Sequence, residues 1–361
     1  MKTISLHSCD LGVPLSIELP STQRPVHDQL FGKGRAMRLL VTTPVRHIDG
    51  LMEKLASRFD VTYLPDPAVP DIMPHLAEME GIFTNPNKAR FRISKELIAA
   101  APLLRQIVTA STGMVHIDRE FAGQRGINVI SLTREYETIE RISSTAELAL
   151  TLTLASLRHL PQALDDVLAG HWDYEKFVGR QVNCLKVGVV GYGRLGRKYS
   201  HYLHAMGASI FVADPYKTKA ECPFPLVDFP HLLRHCDVVA FHVHVTEETR
   251  GMLNAEALKG AKPDVLIVNT SRGELIDERA MRDFLQQHPR ASLAVDVLAD
   301  EIERKWESPL LDLARLRQQV MISPHIGGMC KEAQEIAYHR VADLLIDAER
   351  DRINMSARGQ I

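Results

Sequence analysis

The sequence predicts an α/β protein made of two doubly wound parallel-sheet domains. At 361 residues the chain is longer than most single domains, and 45% apolar residues are enough for two cores. Short apolar runs alternate with helical segments from residue 37 onward, the pattern of parallel strands joined by crossover helices. In the second half those runs are apolar at consecutive positions, as strands buried on both faces must be.

In chain order, residues 1–36 form a proline-punctuated extension with no periodicity, and their role is left open. Residues 37–42 make the first strand, and 61–64, 81–84 and 106–109 follow it with helical segments between. Asn85, Pro86 and Asn87 read as a turn. Ser144-Thr-Ala-Glu147 has capping-box spacing and opens a largely apolar helix ending near Arg158-His-Leu-Pro161, which belongs between layers. Residues 187–190, 209–213, 237–241, 264–269, 292–295 and 320–323 complete the second sheet. In such sheets ligands bind beyond the carboxyl ends of the strands, so the residues just after each strand carry the functional argument.

The most specific of these edges is Gly191-Tyr-Gly193-Arg194-Leu195-Gly196, between a strand and a helix, with Asp214 closing the next apolar run. Gly191 permits the tight turn, Gly193 lets a pyrophosphate approach the backbone, and Gly196 lets the helix pack on its strand. The helix start supplies free N–H groups and a positive dipole end. Asp214 can accept from both ribose hydroxyls of an adenosine and would repel a 2′-phosphate, which favours NAD over NADP. The second domain is thus expected to be a Rossmann dinucleotide-binding domain.

Three further edges carry chemistry. Asn269-Thr270-Ser271-Arg272-Gly273 follows a strand, and the planar fork of Arg272 can hold a carboxylate by two hydrogen bonds. Asp296 ends the next strand and Glu301 lies on its loop, while Ser323-Pro-His325-Ile-Gly-Gly328 ends the last. A lone histidine is more often structural than catalytic, but beside an acid at the same rim it forms an acid/base pair. His242-Val-His244 places two imidazoles on one face of a strand, with nothing placed to complete three or four ligands, so no metal is expected. Lys88, Arg90 and Arg92 are candidate anion contacts, although a solvated basic face explains them as well.

Bulk properties narrow the classes further. A net charge of -2 provides no basic field for nucleic acid or an anionic membrane. Cys9, Cys184, Cys222, Cys236 and Cys330 are scattered without CxxC pairing and read as free thiols. No apolar run approaches the ~20 residues that span a bilayer, and a cytoplasmic protein is expected.

Taken together, these motifs resemble the D-isomer-specific 2-hydroxyacid dehydrogenase family, which includes phosphoglycerate, glyoxylate/hydroxypyruvate and D-lactate enzymes. The matching pieces, over about residues 37–350, are Ser111-Thr112-Gly113-Met-Val-His-Ile-Asp118 as a carboxylate loop, the fingerprint with Asp214, the Arg272 segment, Asp296 with Glu301, and Pro324-His325-Ile-Gly-Gly328. The resemblance implies that Arg272 binds the substrate carboxylate and polarises its carbonyl, helped by Thr112 and Gly113. His325 is then the acid/base and Glu301 orients and supports its imidazole. Gly191, Gly193, Arg194, Leu195, Gly196, Asp214, Thr246, Thr270, Ser271, Asp296 and Gly328 fall on the NAD side, Asp296 as the nicotinamide-side acid. It also implies a discontinuous, flavodoxin-like substrate domain (37–141 and 326–361), an NAD domain (142–325), and a homodimer through the NAD domains.

The chain departs from the family pattern at His244, usually proline, at Cys184, usually glycine, and in a longer, more charged linker over 133–143. Glu301 argues against the formate dehydrogenase branch, which has glutamine there. The expected reaction is NAD-linked hydride transfer at C2 of a small D-2-hydroxy or 2-oxo acid. Two alternatives stay open: an NAD-sensing corepressor-like binding protein, and hydride transfer involving a phosphonate or phosphite.

Overall fold

The computed structural model of the chain describes residues 35–86, 91–302, 304–316 and 319–358. Lys88, Arg90, Asn87, Cys9 and nearly all of the 1–36 extension lie outside the described residues.

Two all-parallel sheets form. The first holds β1 (Arg38–Val41), β2 (Asp60–Tyr63), β3 (Gly81–Thr84), β4 (Gln106–Thr109) and β5 (Asn128–Ile130), in the order β2-β1-β3-β4-β5. The second holds β6 (Lys186–Val190), β7 (Ser209–Ala213), β8 (Val238–Phe241), β9 (Leu266–Asn269), β10 (Ser292–Val295) and β11 (Val320–Ile322), in the order β11-β10-β9-β8-β6-β7. Buried patterns without alternation, such as those of β3, β4, β8 and β9, reflect helices on both faces. β5 is the strand that sequence reading missed, since three residues are too few for a periodic signal.

Register decides where the chemistry emerges. Val190 pairs with Ala213 and with Phe241, Phe241 with Asn269, Asn269 with Val295, and Val295 with Ile322. Gly191, Asp214, His242, Thr270, Asp296 and Ser323 therefore leave the sheet along one edge, and the strand order reverses beside β6. That edge is where an open α/β sheet holds its ligand.

The apolar helix Ser144–Leu157 packs against the helix Arg194–Ala205 and against β9 and β10, burying Ala146, Ala149 and Leu152. Its start differs from the capping box expected at Ser144. Ser143 is the N-cap, and its hydroxyl donates to the Glu147 side chain 2.5 Å away instead of capping the backbone. The charged linker before it contains a short helix, Tyr136–Glu140. Glu135 pairs with Arg340 at 2.6 Å and Glu140 with Arg197 at 2.8 Å, so its charges pin it at both ends.

The last helix, Lys331–Ala357, returns to the first sheet. Ala337, Tyr338, Val341, Ala342 and Leu345 join the core over β1, β3 and β4, and the Tyr338 hydroxyl lies 3.2 Å from Thr43 Oγ1. Arg105 grips Glu349 through two hydrogen bonds of 2.7 and 3.2 Å. Leu345→Ala is expected to destabilise the protein by about 2–5 kcal/mol, the usual range for a fully buried leucine, and urea unfolding measures it.

Candidate active site

The fingerprint turn divides its work among three glycines. Gly191 has φ +89° and Gly196 is packed so closely that a Cβ there would collide with the Gly191 carbonyl oxygen. Gly193 is the reverse case: a Cβ there would meet nothing within 4 Å. The space over it is what a pyrophosphate needs. Leu195 is half-buried in the core below the turn, and the Arg194 guanidinium reaches back to the Ile142 carbonyl. The Arg194 side chain is thus spent on the linker, and its first-turn N–H is what it leaves toward the turn.

Asp214 stands at the end of β7 with Oδ2 accepting from Tyr192 N at 2.8 Å and Oδ1 from Tyr216 N at 2.9 Å. The acid is thereby tied to the fingerprint turn. Along the same edge, Ser271 donates to the Phe241 carbonyl at 2.7 Å, and Thr246 closes a small exposed turn with Thr249. The Thr270 hydroxyl is buried without a hydrogen-bond partner, the state expected of a group that a ligand completes. Open space over Gly193, a positioned Asp214 and the orphaned Thr270 hydroxyl together fit NAD.

His242 and His244 fall past the end of β8, not on one face of a strand. The His242 ring lies 4.9 Å from that of Tyr199 with both nitrogens buried and unpartnered, while His244 feels the charge of Arg272. Among the described residues, no group of three or more His, Cys, Asp or Glu is placed to hold a metal.

Arg272, Glu301 and His325 share one cleft with Pro86, Arg92, Gly113, Glu274 and Asp300. The cleft lies between the two sheets, since Pro86, Arg92 and Gly113 follow strands of the first. Arg272 Nη1 donates to its neighbour Ser271's carbonyl at 2.5 Å, and a Cβ on Gly113 would collide with Nη2. Thr112 stands beside it, its carbonyl accepting from Thr133 Oγ1 at 3.1 Å. Arg92, one of the candidate anion contacts, also lines this cleft and donates from Nη2 to the Val115 carbonyl at 2.9 Å.

His325 Nδ1 lies 2.5 Å from Glu301 Oε1. A carboxylate oxygen accepts, so Nδ1 carries the proton and Nε2 is left for chemistry. His325 has φ +55° and Asp300, beside Glu301, has φ +52°. His325 itself, and the residue that precedes Glu301, are therefore held in backbone that non-glycine residues seldom adopt. Asp296, expected beside the nicotinamide, commits both oxygens to the histidine loop. Oδ1 accepts from the Ser323 hydroxyl (2.5 Å) and Ile326 N (2.9 Å), and Oδ2 from Gly327 N (2.7 Å). Burial pushes its carboxyl upward against the pull of those bonds. Gly328 lies in the turn in which Met329 N bonds to the Ile326 carbonyl at 2.8 Å.

Sequence reading gave no role to His116, which is fully buried at 0% exposure beneath this cleft. Its place in the Ser111–Asp118 segment was the one available signal, and its burial was not legible there.

The fold and site define a two-sheet α/β protein with a dinucleotide-type turn and a cleft that holds an arginine and a Glu–His pair. A model of the D-isomer specific 2-hydroxyacid dehydrogenase NAD-binding domain matches residues 150–327. A hydroxypyruvate reductase of Thermotoga maritima is 32% identical over 248 residues, 67% of this chain and 77% of that protein. A D-3-phosphoglycerate dehydrogenase of Mycobacterium leprae is 32% identical over 293 residues, 80% of this chain and 53% of that protein. The chain spans about half the length of the phosphoglycerate dehydrogenases it matches. A D-lactate dehydrogenase of Aquifex aeolicus complexed with NAD and lactic acid superposes with a TM-score of 0.72 at 25% identity, covering 90% of this chain and 96% of that one. The chain belongs to the D-isomer specific 2-hydroxyacid dehydrogenase family, and NAD is its cofactor.

Two outcomes follow from this geometry. Gly193→Ala should fold with unchanged thermal stability yet lose NADH affinity by about tenfold or more, about 1.4 kcal/mol, whereas Gly196→Ala should also destabilise the fold by about 1–3 kcal/mol through overpacking; calorimetric titration and thermal melts separate them. Burial, the main cause, pulls His116 down to about 4 and His242 to about 3 from 6.5. The unfolded chain binds those protons near 6.5, so the stability gained by keeping both rings neutral is intact above that pH and is lost as pH falls toward 4 and 3. A urea midpoint that stays flat across this window would contradict the burial of both rings.

Proposed function

We propose that this chain transfers a hydride between NAD(H) and C2 of a small D-2-hydroxy acid or its 2-oxo counterpart. The observation that carries this reading is the gathering of Arg272, Glu301 and His325 in one cleft, with the imidazole oriented by the 2.5 Å contact to Glu301. The β6 turn would hold the dinucleotide, which when bound would supply the hydride as NADH or accept it as NAD+.

In the reductive direction the Arg272 fork and the N–H groups near Thr112 and Gly113 hold the substrate carboxylate. Positive charge from Arg272 stabilises the oxygen as it gains electrons. His325 Nε2 then gives that oxygen its proton, so one 2-oxo acid, one hydride and one proton yield one 2-hydroxy acid. Oxidation reverses the path, with neutral Nε2 taking the hydroxyl proton. Glu301 holds the ring through Nδ1–H and balances the imidazolium charge. Asp296 shapes the loop that presents the ring.

Residues 37–141 with 326–361 would form the substrate domain and 142–325 the NAD domain, with the reaction in the cleft between them. The unpaired Cys184, Cys222, Cys236 and Cys330 suit a reducing compartment such as the cytoplasm. Among the described residues, no helix is long and apolar enough to cross a membrane. The assembly would be a homodimer through the NAD domains. The helix Leu160–Leu168 buries none of its residues, and Leu168 and Trp172 are 86% and 88% exposed, an apolar surface that calls for a partner.

Absorbance at the NADH band, with glyoxylate, hydroxypyruvate, pyruvate and phosphorylated 2-oxo acids offered in turn, tests the activity. Tight NADH binding without oxidation of any of them would support a sensor, and turnover of phosphite alone would support the other alternative. His325→Ala should lower kcat by about 10²–10⁴-fold with NADH binding retained. Arg272→Lys should raise KM for the 2-oxo acid, because lysine keeps the charge but loses the two-point grip. Replacing Leu168 and Trp172 by glutamate should give a monomer by light scattering, and a persistent dimer would place the interface elsewhere.

A further inference from the structure

Resting on the reading of this cleft as a 2-oxo acid site, we infer that His116 is a positioning residue for the carboxylate loop. It acts through a one-way hydrogen-bond relay that requires a proton on the imidazole Nε2.

The relay runs beneath the loop after β4. Ser111 Oγ lies 2.6 Å from the Gly113 carbonyl, Thr109 Oγ1 lies 2.9 Å from Ser111 Oγ, and His116 Nε2 lies 3.2 Å from Thr109 Oγ1. Each hydroxyl has a single proton to give, and a carbonyl only accepts. The Ser111 proton goes to Gly113, so Ser111 Oγ accepts from Thr109. The Thr109 proton is thereby used, and Thr109 Oγ1 accepts from His116 Nε2–H. The Gly113 carbonyl fixes the tautomer of a ring three residues away. Nδ1 is left bare, and it is buried without a hydrogen-bond partner.

The backbone of His116 anchors the other side of the loop. Its carbonyl accepts from Ile93 N at 2.7 Å, and the neighbouring Val115 carbonyl accepts from Arg92 at 2.9 Å. The relay ends at Gly113, the residue that abuts the Arg272 guanidinium closely enough to exclude any Cβ. A shift of the Gly113 peptide is therefore a shift of the surface against which Arg272 is set. Protonated, the ring would place a buried cation near the charges of Arg272 and Arg92, and burial with those two charges opposes this. His116 neither carries protons for the reaction nor touches the substrate. It sets where the loop stands.

Two measurements decide the inference. In protein labelled with [15N]histidine, the resonance of His116, assigned by its absence from His116→Gln, should show a neutral ring protonated at Nε2 at pH 7. A proton on Nδ1 alone, with Nε2 bare, would overturn the relay whatever the enzyme's substrate. In kinetics, His116→Leu should raise KM for the 2-oxo acid and weaken inhibition by oxalate on the order of tenfold to a hundredfold, the scale of an ångström-sized misplacement, with NADH affinity kept. The Gln side chain places its N–H donor where Nε2 stands and should recover most of the lost affinity, whereas Asn places it at Nδ1 and should not. A role in packing alone would lower the melting temperature of all three variants without separating Gln from Asn, and that result would sink the inference. If the wild-type protein reduces no 2-oxo acid, the functional reading fails while the tautomer still decides the relay.

Discussion

The Asp296 carboxylate receives hydrogen bonds from the Ser323 hydroxyl and from the N–H groups of Ile326 and Gly327, and the shape of the His325 loop hangs on them. Between those donors sits His325, at φ +55°, a conformation costing a non-glycine residue roughly 1–2 kcal/mol. Hydrogen bonds to a charged acceptor contribute roughly 1.5–3 kcal/mol each, so three of them outweigh the strain. The cost appears elsewhere, in a buried acid whose carboxyl is pushed upward even with all three donors in place. The strained loop is thus bought with a desolvated charge.

The same edge shows how close packing sets a site made from distant segments. Gly273 follows Arg272 and has Leu298 backbone against it, leaving no room for a Cβ, which brings the Glu301 loop alongside the arginine. Gly113 performs the equivalent service from the first sheet. The guanidinium accordingly abuts backbone of the first sheet's loop while the backbone that follows it packs beside Leu298 in the second, and the Lys331–Ala357 helix joins the halves by rising from the histidine loop into the first core. A movement of one sheet against the other alters the Arg272 environment directly.

His116 and His325 illustrate opposite uses of one side chain. His325 is half-buried beside an acid, with one nitrogen committed and one free for the cleft. His116 is wholly buried beside two arginines and held neutral. Burial and neighbouring charge separate the two roles, although nothing in the residue type distinguishes them.

Local chemistry made much of this protein legible before any coordinates. Consecutive apolar residues marked the strands because burial on both faces removes alternation, and Gly191, Gly193 and Gly196 marked the turn because the first and last clear the packed backbone while the middle one leaves open space. Arg272, Asp296, Glu301 and His325 could be placed at strand ends for the same reason. Other features depended on atoms far apart in the chain. That Asp296 turns into the histidine loop, that Arg194 reaches Ile142, that His242 and His244 lie beyond β8, that Ser143 and not Ser144 begins the helix, and that His116 is sealed under the cleft were all decided by tertiary packing. Hydrogen-bond direction and desolvation depend on which groups meet in space, and a linear pattern of residue types does not encode those meetings.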